Sequence, residues 1–190
     1  MTNTITYRAM DASDFAQIIA LGNDVHGDGY LDNDNIQEWF AKGISQGINA
    51  NFVAYDNDKL VGFRLSFAPG SFTIDQWYSP ELWQCDISKV AYFKCNTVDD
   101  AYRGKGIGST LLKLSTNALQ QQGASAGVSH LWRQSPGNSA VMYFTKCGGV
   151  LIKDHPDKWN ADSKAGYECT FCGFDCHCVA AEMIIYFNQN

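Results

Sequence analysis

Tyr102-Arg103-Gly104-Lys105-Gly106-Ile107-Gly108-Ser109-Thr110-Leu111-Leu112 is the stretch from which the fold of this chain can be read. Three glycines alternate with basic and apolar residues, and an amphipathic helix follows. Such a turn offers several unpaired backbone N–H groups, with the positive end of a helix dipole behind them, to one anionic ligand. Gly104, Gly106 and Gly108 leave no side chain in the way and permit backbone angles that other residues avoid. A Walker A loop is excluded, because Lys105 is followed by glycine where Ser or Thr is needed. A dinucleotide fingerprint is excluded too, because Ser109 or Leu111 stands where its last glycine belongs. What is left is Arg-x-x-Gly-x-Gly, from Arg103 to Gly108.

Outward from this loop, residues 90–98 read as the strand that feeds it, and Ile107, Leu111, Leu114 and Ala118 stripe the helix behind it. Further upstream, residues 5–8 predict a strand, and Asp11 is placed to cap a helix carrying Phe15, Ile18, Ile19 and Leu21. A second helix is predicted from Asp34, with Gln37 completing a capping box, and with Ile36, Trp39, Phe40 and Ile44 as its buried stripe. Residues 51–55 and 59–67 read as strands joined by an Asp56-Asn57-Asp58 turn. The connection 69–88 is long and aromatic; Phe72, Trp77, Tyr78 and Trp83 either line a pocket or pack over the sheet. Downstream, 124–132 predicts a strand, 135–138 a turn, Val141, Phe144 and Cys147 a helix, and 150–152 and 182–187 the last two strands. This order predicts a mixed α/β sheet with helices on both faces.

The 190 residues suit one domain spanning 1–190, long enough to bury roughly 70% of its unfolded surface without a staple. A net charge of −6 argues against nucleic acid as a partner. Seven acidic residues between Asp11 and Glu38 meet no Lys or Arg, and either attract a cationic substrate or serve as helix caps and solvated faces. From Lys89 to Lys113 the local balance is +3, which suits an anionic cofactor. No signal peptide or membrane-length apolar run is visible, so the expected location is cytoplasmic, with no membrane partner and with the seven cysteines reduced or metal-bound.

Thr97-Val98 followed by Arg103 to Gly108, and then Asn138-Ser139-Ala140-Val141-Met142-Tyr143-Phe144-Thr145-Lys146-Cys147-Gly148-Gly149 downstream, resemble the two signatures of the GNAT N-acetyltransferase superfamily. The resemblance covers about residues 5–152 and 182–187. It implies a mostly antiparallel central sheet, acetyl-coenzyme A as donor, and a primary amine of a small molecule or peptide as acceptor, joined by direct transfer in a ternary complex. It implies a cofactor site made of Thr97, Val98, Arg103, Gly104, Lys105, Gly106, Ile107, Gly108, Ser109 and Asn138. Val98 would lie where the strand splays from its neighbour and would meet pantetheine and the developing oxyanion. The family's usual acid is a tyrosine two residues before the lysine. That position holds Phe144 here, so the adjacent Tyr143 becomes the candidate acid. Glu81 and Asp86 in the long connection are candidate bases, with His26 and His130 as further ones. The departure at Phe144 keeps a second reading open, a non-catalytic acyl-coenzyme A-binding module.

An insertion at about 154–180 holds four of the seven cysteines within ten residues, Cys169, Cys172, Cys176 and Cys178. Cys169-x-x-Cys172-Gly173 has the form of a zinc knuckle, and a structural zinc is expected, with His177 as a substitute ligand. Disulfide chemistry and unligated thiols are the alternatives. The insertion could cover the acceptor end of the site or form an oligomer contact, a homodimer for instance.

Overall fold

The computed structural model describes residues 5–187. One seven-stranded sheet draws strands from both ends of this range. The strands are β1 (Thr6–Ala9), β4 (Phe52–Asp56), β5 (Lys59–Phe67), β6 (Val90–Val98), β7 (Ala126–Trp132), β9 (Val179–Tyr186) and β8 (Val150–Pro156), in that spatial order. Every neighbouring pair is antiparallel except β6 and β7. A two-residue hairpin, β2 (Ile44–Ser45) with β3 (Ile48–Asn49), stands apart from the sheet. The mixed, mostly antiparallel sheet expected from the sequence is therefore present.

Helices cover both faces. On one face lie α1 (Phe15–His26) and α2 (Asn33–Lys42), whose Ile18 and Ile36 pack on Val53, Phe63, Leu65 and Cys95. On the other lie α3 (Ile107–Gln121) and α4 (Ser139–Lys146). There Leu112 and Leu119 of α3 and Val141 and Phe144 of α4 pack on Ala91 and Phe93. β5 divides its side chains accordingly. Phe63 and Leu65 meet the α1–α2 face, while Gly62 lies against Ile107 and Ser66 bonds Ser115 of α3 at 2.7 Å. Arg64, between Gly62 and Ser66, is thereby sent to the α3–α4 face.

The acidic N-terminal third is used for capping. Asp11 caps a 3₁₀ turn, Ala12–Asp14, that leads into α1, and Asp14 closes the box through the Asp11 N–H. Asp14 also pairs with Arg8, and Glu38 with Lys42. The second helix starts one residue earlier than expected, because Asp32 is its cap and Asn35, not Gln37, completes the box.

The long connection packs over the sheet. Phe72, Tyr78 and Trp83 join Phe67, Tyr92, Val128 and Ile184 in one apolar cluster, and Trp83 is fully buried. Glu182, also fully buried, anchors the connection by accepting from the Ser79 N–H at 2.9 Å and the Trp83 indole N–H at 2.7 Å. β8 runs four residues beyond the expected 152. As an edge strand it needs only one paired side, so polar Lys153 and Asp154 belong to it. β9 begins three residues before Glu182, and a short helix, α5 (Asn160–Lys164), lies inside the insertion. No helix among the described residues is long and apolar enough to cross a membrane.

Candidate active site

Two structural interruptions meet in one cleft of about 1420 Å³. The first is the start of α3. Gly104 and Gly106 have φ of +76° and +80°, a left-handed geometry that other residues resist, and a Cβ built on either would enter open space. Gly106 is the N-cap and no side chain caps the helix, so the first-turn amides of α3 are left for a ligand. Arg103, Gly104, Gly106, Ile107, Gly108 and Ser109 line the cleft, and Arg103 is held by Asp100 at 2.6 Å. Gly108 is ordinary helix, but a Cβ there would lie 3.1 Å from the Asn96 amide nitrogen. Lys105 turns away, its ammonium 4.5 Å from the Tyr102 ring centroid and outside the cleft lining. Asn138 sits at the N-cap of α4 without capping it; the Ser135 hydroxyl accepts the Ala140 N–H instead.

The second interruption is a splay. β6 and β7 pair only from Val90 to Tyr92 and from Ala126 to Val128, although the strands continue to Val98 and Trp132. A last link, the Ser129 hydroxyl donating to the Phe93 carbonyl at 2.9 Å, closes the apex. Beyond it Lys94 to Val98 and Ser129 to Trp132 face the gap, and Thr97 and Val98 are among the lining.

A pair not legible in the sequence stands where these features converge. Arg64, 2% exposed, donates from its guanidinium to the Tyr143 hydroxyl. A guanidinium can only donate, so the phenol's own proton is free to be given elsewhere. Burial raises the Tyr143 pKa above its ordinary value, which keeps the group protonated at neutral pH. The α4 helix therefore delivers Tyr143 to the cleft although Phe144 occupies the family's tyrosine position; Phe144 is fully buried against Phe93. Only the alternation along β5 could have pointed to Arg64.

The candidate bases separate in space. Glu81 lies in a 3₁₀ turn, Pro80–Leu82, and Asp86 caps another, accepting from the Ser88 N–H and hydroxyl; neither lines the cleft. His26 and His130 do line it. His26 Nε2 is 2.8 Å from the Thr97 hydroxyl, and burial, then Arg103 and Lys94, depress its pKa to about 4. His130 Nε2 lies 2.5 Å from the Trp77 carbonyl, which can only accept, so that nitrogen carries the proton and Nδ1 accepts from the Tyr92 hydroxyl at 3.2 Å. Burial first, then Lys158, lower the His130 pKa to about 3. Both rings are neutral at physiological pH. His130, His155 and Glu182 have ligand atoms within 4.8 Å of one another, but their hydrogen bonds already tie the connection 69–88 to the sheet.

The cysteine insertion borders the cleft beside the end of α1. The Tyr167 hydroxyl donates to the His26 carbonyl at 2.7 Å, and a Cβ on Gly27 would lie 2.1 Å from the Glu168 carbonyl oxygen. Tyr167, Cys169 and Cys176 are part of the lining. The four sulfurs lie within 4.8 Å of one another, with Cys172 to Cys178 at 3.6 Å and Cys169 to Cys178 at 3.9 Å. Cys169 and Gly173 exchange backbone hydrogen bonds at 3.0 and 2.8 Å, with Gly173 at φ +72°. Burial raises the Cys169 pKa, but the Phe171 and Cys172 N–H groups that this tight turn aims at the sulfur, with the Cys176 and Cys178 thiols, lower it overall. His177 is exposed and bonded to Asp157, away from the sulfurs.

A glycine cradle at a helix start, opening beside a splayed parallel pair, is the arrangement the sequence resemblance implied. The family model described as the acetyltransferase (GNAT) family matches residues 16–149, well over half of the chain. This chain belongs to the GNAT acetyltransferase family. The fold is shared with solved structures. The ribosomal-protein-S18-alanine N-acetyltransferase from Escherichia coli is 14% identical, with a TM-score of 0.65 over 98% of this chain and 96% of the other. The Salmonella typhimurium yncA structure, solved with its cofactor acetyl-CoA, is 18% identical, with a TM-score of 0.68 over 99% and 96%. Arabidopsis thaliana Naa50, solved with the bisubstrate analogue CoA-Ac-MVNAL, is 17% identical, with a TM-score of 0.62 over 96% and 99%. No curated protein matches the sequence. Family membership supports acetyl transfer in general. The uncapped α3 start, its glycine cradle and the flanking Arg103 fit a pyrophosphate, and the unpaired strand edges fit an amide-bearing arm.

Proposed function

We propose that this protein is an N-acetyltransferase that moves an acetyl group from acetyl-CoA to a primary amine by direct transfer in a ternary complex. The observation that carries the reading is the meeting of the α3 cradle and the β6–β7 splay in one cleft. Arg103 and the amides from Gly104 to Ser109 hold the pyrophosphate. The backbone of β6 near Thr97 and Val98 holds pantetheine and, as the amine attacks, the developing oxyanion. As the C–S bond breaks, Tyr143 gives its proton to the departing coenzyme A thiolate, Arg64 steadies the resulting phenolate, and the phenolate takes back the proton that the acetylated nitrogen sheds. With a pKa of about 4, His26 is too weak a base to strip an ammonium. The amine therefore arrives neutral, and His26 orders the acceptor side through Thr97. The test is acetyl-CoA binding by calorimetry together with product detection by mass spectrometry over an amine panel, a readout that the protein's own thiols do not disturb. Tight binding without any product would favour the non-catalytic module.

The cysteine cluster is proposed as a structural zinc site. Thiolates 2.3 Å from a tetrahedral zinc lie about 3.8 Å apart, and the two separations of 3.6 and 3.9 Å bracket that value. Four protein ligands leave no open position, so the ion shapes the acceptor end and takes no part in the transfer. One zinc per chain by metal analysis is the expected result; a metal-free protein with four titratable thiols would refute the assignment.

A further inference from the structure

Two lysines in the cleft have no carboxylate within ion-pair distance among the described residues. Lys94 on β6 and Lys158, just before α5, both line it, and neither is in an ion pair among the described residues. Each rests on an indole instead, Lys94 at 3.9 Å from the Trp39 ring centroid and Lys158 at 5.6 Å from that of Trp77. None of the acids in the neighbourhood pairs with them. Glu182 is enclosed by Ser79, Trp83 and His155, and Asp75 accepts from the Trp77 N–H, while Asp24 and Asp162 line the same cleft without reaching ion-pair distance of either lysine. A half-buried ammonium is costly without an anion nearby.

Both lysines belong to the acceptor end. Lys94 lies four residues up β6 from Val98, roughly 13 Å at the strand rise, and on the side of α2. Lys158 and Trp159 enter from the insertion, opposite the α3 cradle, and Tyr30, Trp39 and Tyr167 complete an aromatic wall. Two unpaired ammonium groups at this end differ from what the acidic N-terminal third suggested, since Asp11, Asp14, Asp32 and Glu38 are caps or ion-pair partners and Asp24 is the acid of that third that lines the cleft.

We propose that the acceptor is an amine with a carboxylate at its non-reacting end, an amino-acid-like molecule with an apolar or aromatic body, and that Lys94 and Lys158 receive the carboxylate. The proposal rests on the acetyltransferase reading and names the substrate class for it.

The test uses the full chain, acetyl-CoA and matched amines: phenylalanine against phenylalaninamide and phenethylamine, and tryptophan against tryptamine. The carboxylate-bearing member should have the higher kcat/KM by about 10- to 100-fold, the contribution of a charged hydrogen bond. That ratio should collapse toward one in the Lys94→Met/Lys158→Met protein and in the Lys158→Met single variant, and should persist in Lys94→Arg. Unchanged acetyl-CoA affinity reports that the variants are folded. A wild-type preference for the amide or the bare amine, a ratio that survives the double substitution, or turnover confined to amines without a carboxylate would each overturn the substrate class alone. Bound acetyl-CoA with no product from any amine would overturn the acetyltransferase reading together with it.

Discussion

The two ends of the cleft are built by different means. The proposed donor end is a contiguous piece of chain, in which Arg103 to Ser109 supply the cradle and α3 supplies the dipole. The proposed acceptor end is assembled from His26, Tyr30, Trp39, Lys94, Lys158 and Tyr167, which line the cleft from α1, the turn before α2, α2, β6 and the insertion. A local site tolerates distant change and fails at a single backbone angle. An assembled site depends on every contact that holds its parts in register. Substitutions should therefore separate the two ends cleanly.

The largest effect should come from the donor end. Gly106→Val places a β-branched residue at φ +80° and a side chain in the cradle. Acetyl-CoA affinity should fall by on the order of 100-fold or more, the loss of one or two charged hydrogen bonds at about 1.5–3 kcal/mol each. Calorimetry that showed normal affinity would remove the donor assignment. Next is the chemistry between the two ends. Tyr143→Phe removes the acid and keeps the ring, so kcat should drop by roughly 10²-fold while acetyl-CoA binding stays near wild type. An unchanged kcat would mean that water supplies the proton.

Disturbing the cysteine centre should touch only the assembled end. Cys172→Ser, or stripping with a strong chelator, should raise the acceptor KM by about 10-fold and lower the melting temperature, because Tyr167 and Glu168 would lose their hold on the end of α1. Equal losses in acceptor and acetyl-CoA binding would show that the two ends are not independent. The smallest effect concerns acid stability. His26 has a folded pKa of about 4 against its ordinary 6.5, so the folded state binds fewer protons than the unfolded chain. Its contribution is intact above pH 6.5 and is lost as the pH falls toward 4, by about 3 kcal/mol at the limit. Denaturant midpoints measured from pH 7 to 4 should show that decline, and His26→Gln should flatten part of it.

The same contrast governs what could be read from the sequence. The α3 cradle, the strand before it, the Asp56–Asp58 turn and the α4 helix were legible because glycine freedom, hydrophobic period and turn chemistry act over a few residues. The Asp34 start of α2 failed by one residue because two capping boxes competed, and Asn35 outbid Gln37. The edge strand β8 extends past its apolar run because pairing on one side leaves polar residues free to join it. Glu81 and Asp86 looked available as bases because the connection 69–88 has no periodicity. Its aromatics turn inward around Glu182 and carry those carboxylates away from the cleft.

By itself, the sequence determined the glycine-rich turn ahead of a striped helix, since glycine freedom and helical period act over a few residues and leave the first-turn amides open to an anion. It also determined that four cysteines would be neighbours, since they lie within ten residues of one another. Only the tertiary structure decided that Arg64 bonds Tyr143, that Lys94 and Lys158 share the cleft, and that Tyr167 reaches back to His26. Those pairs are separated by 64 to 141 residues of chain. Their meeting depends on sheet order and on the β6–β7 splay, and no local rule of the backbone encodes either.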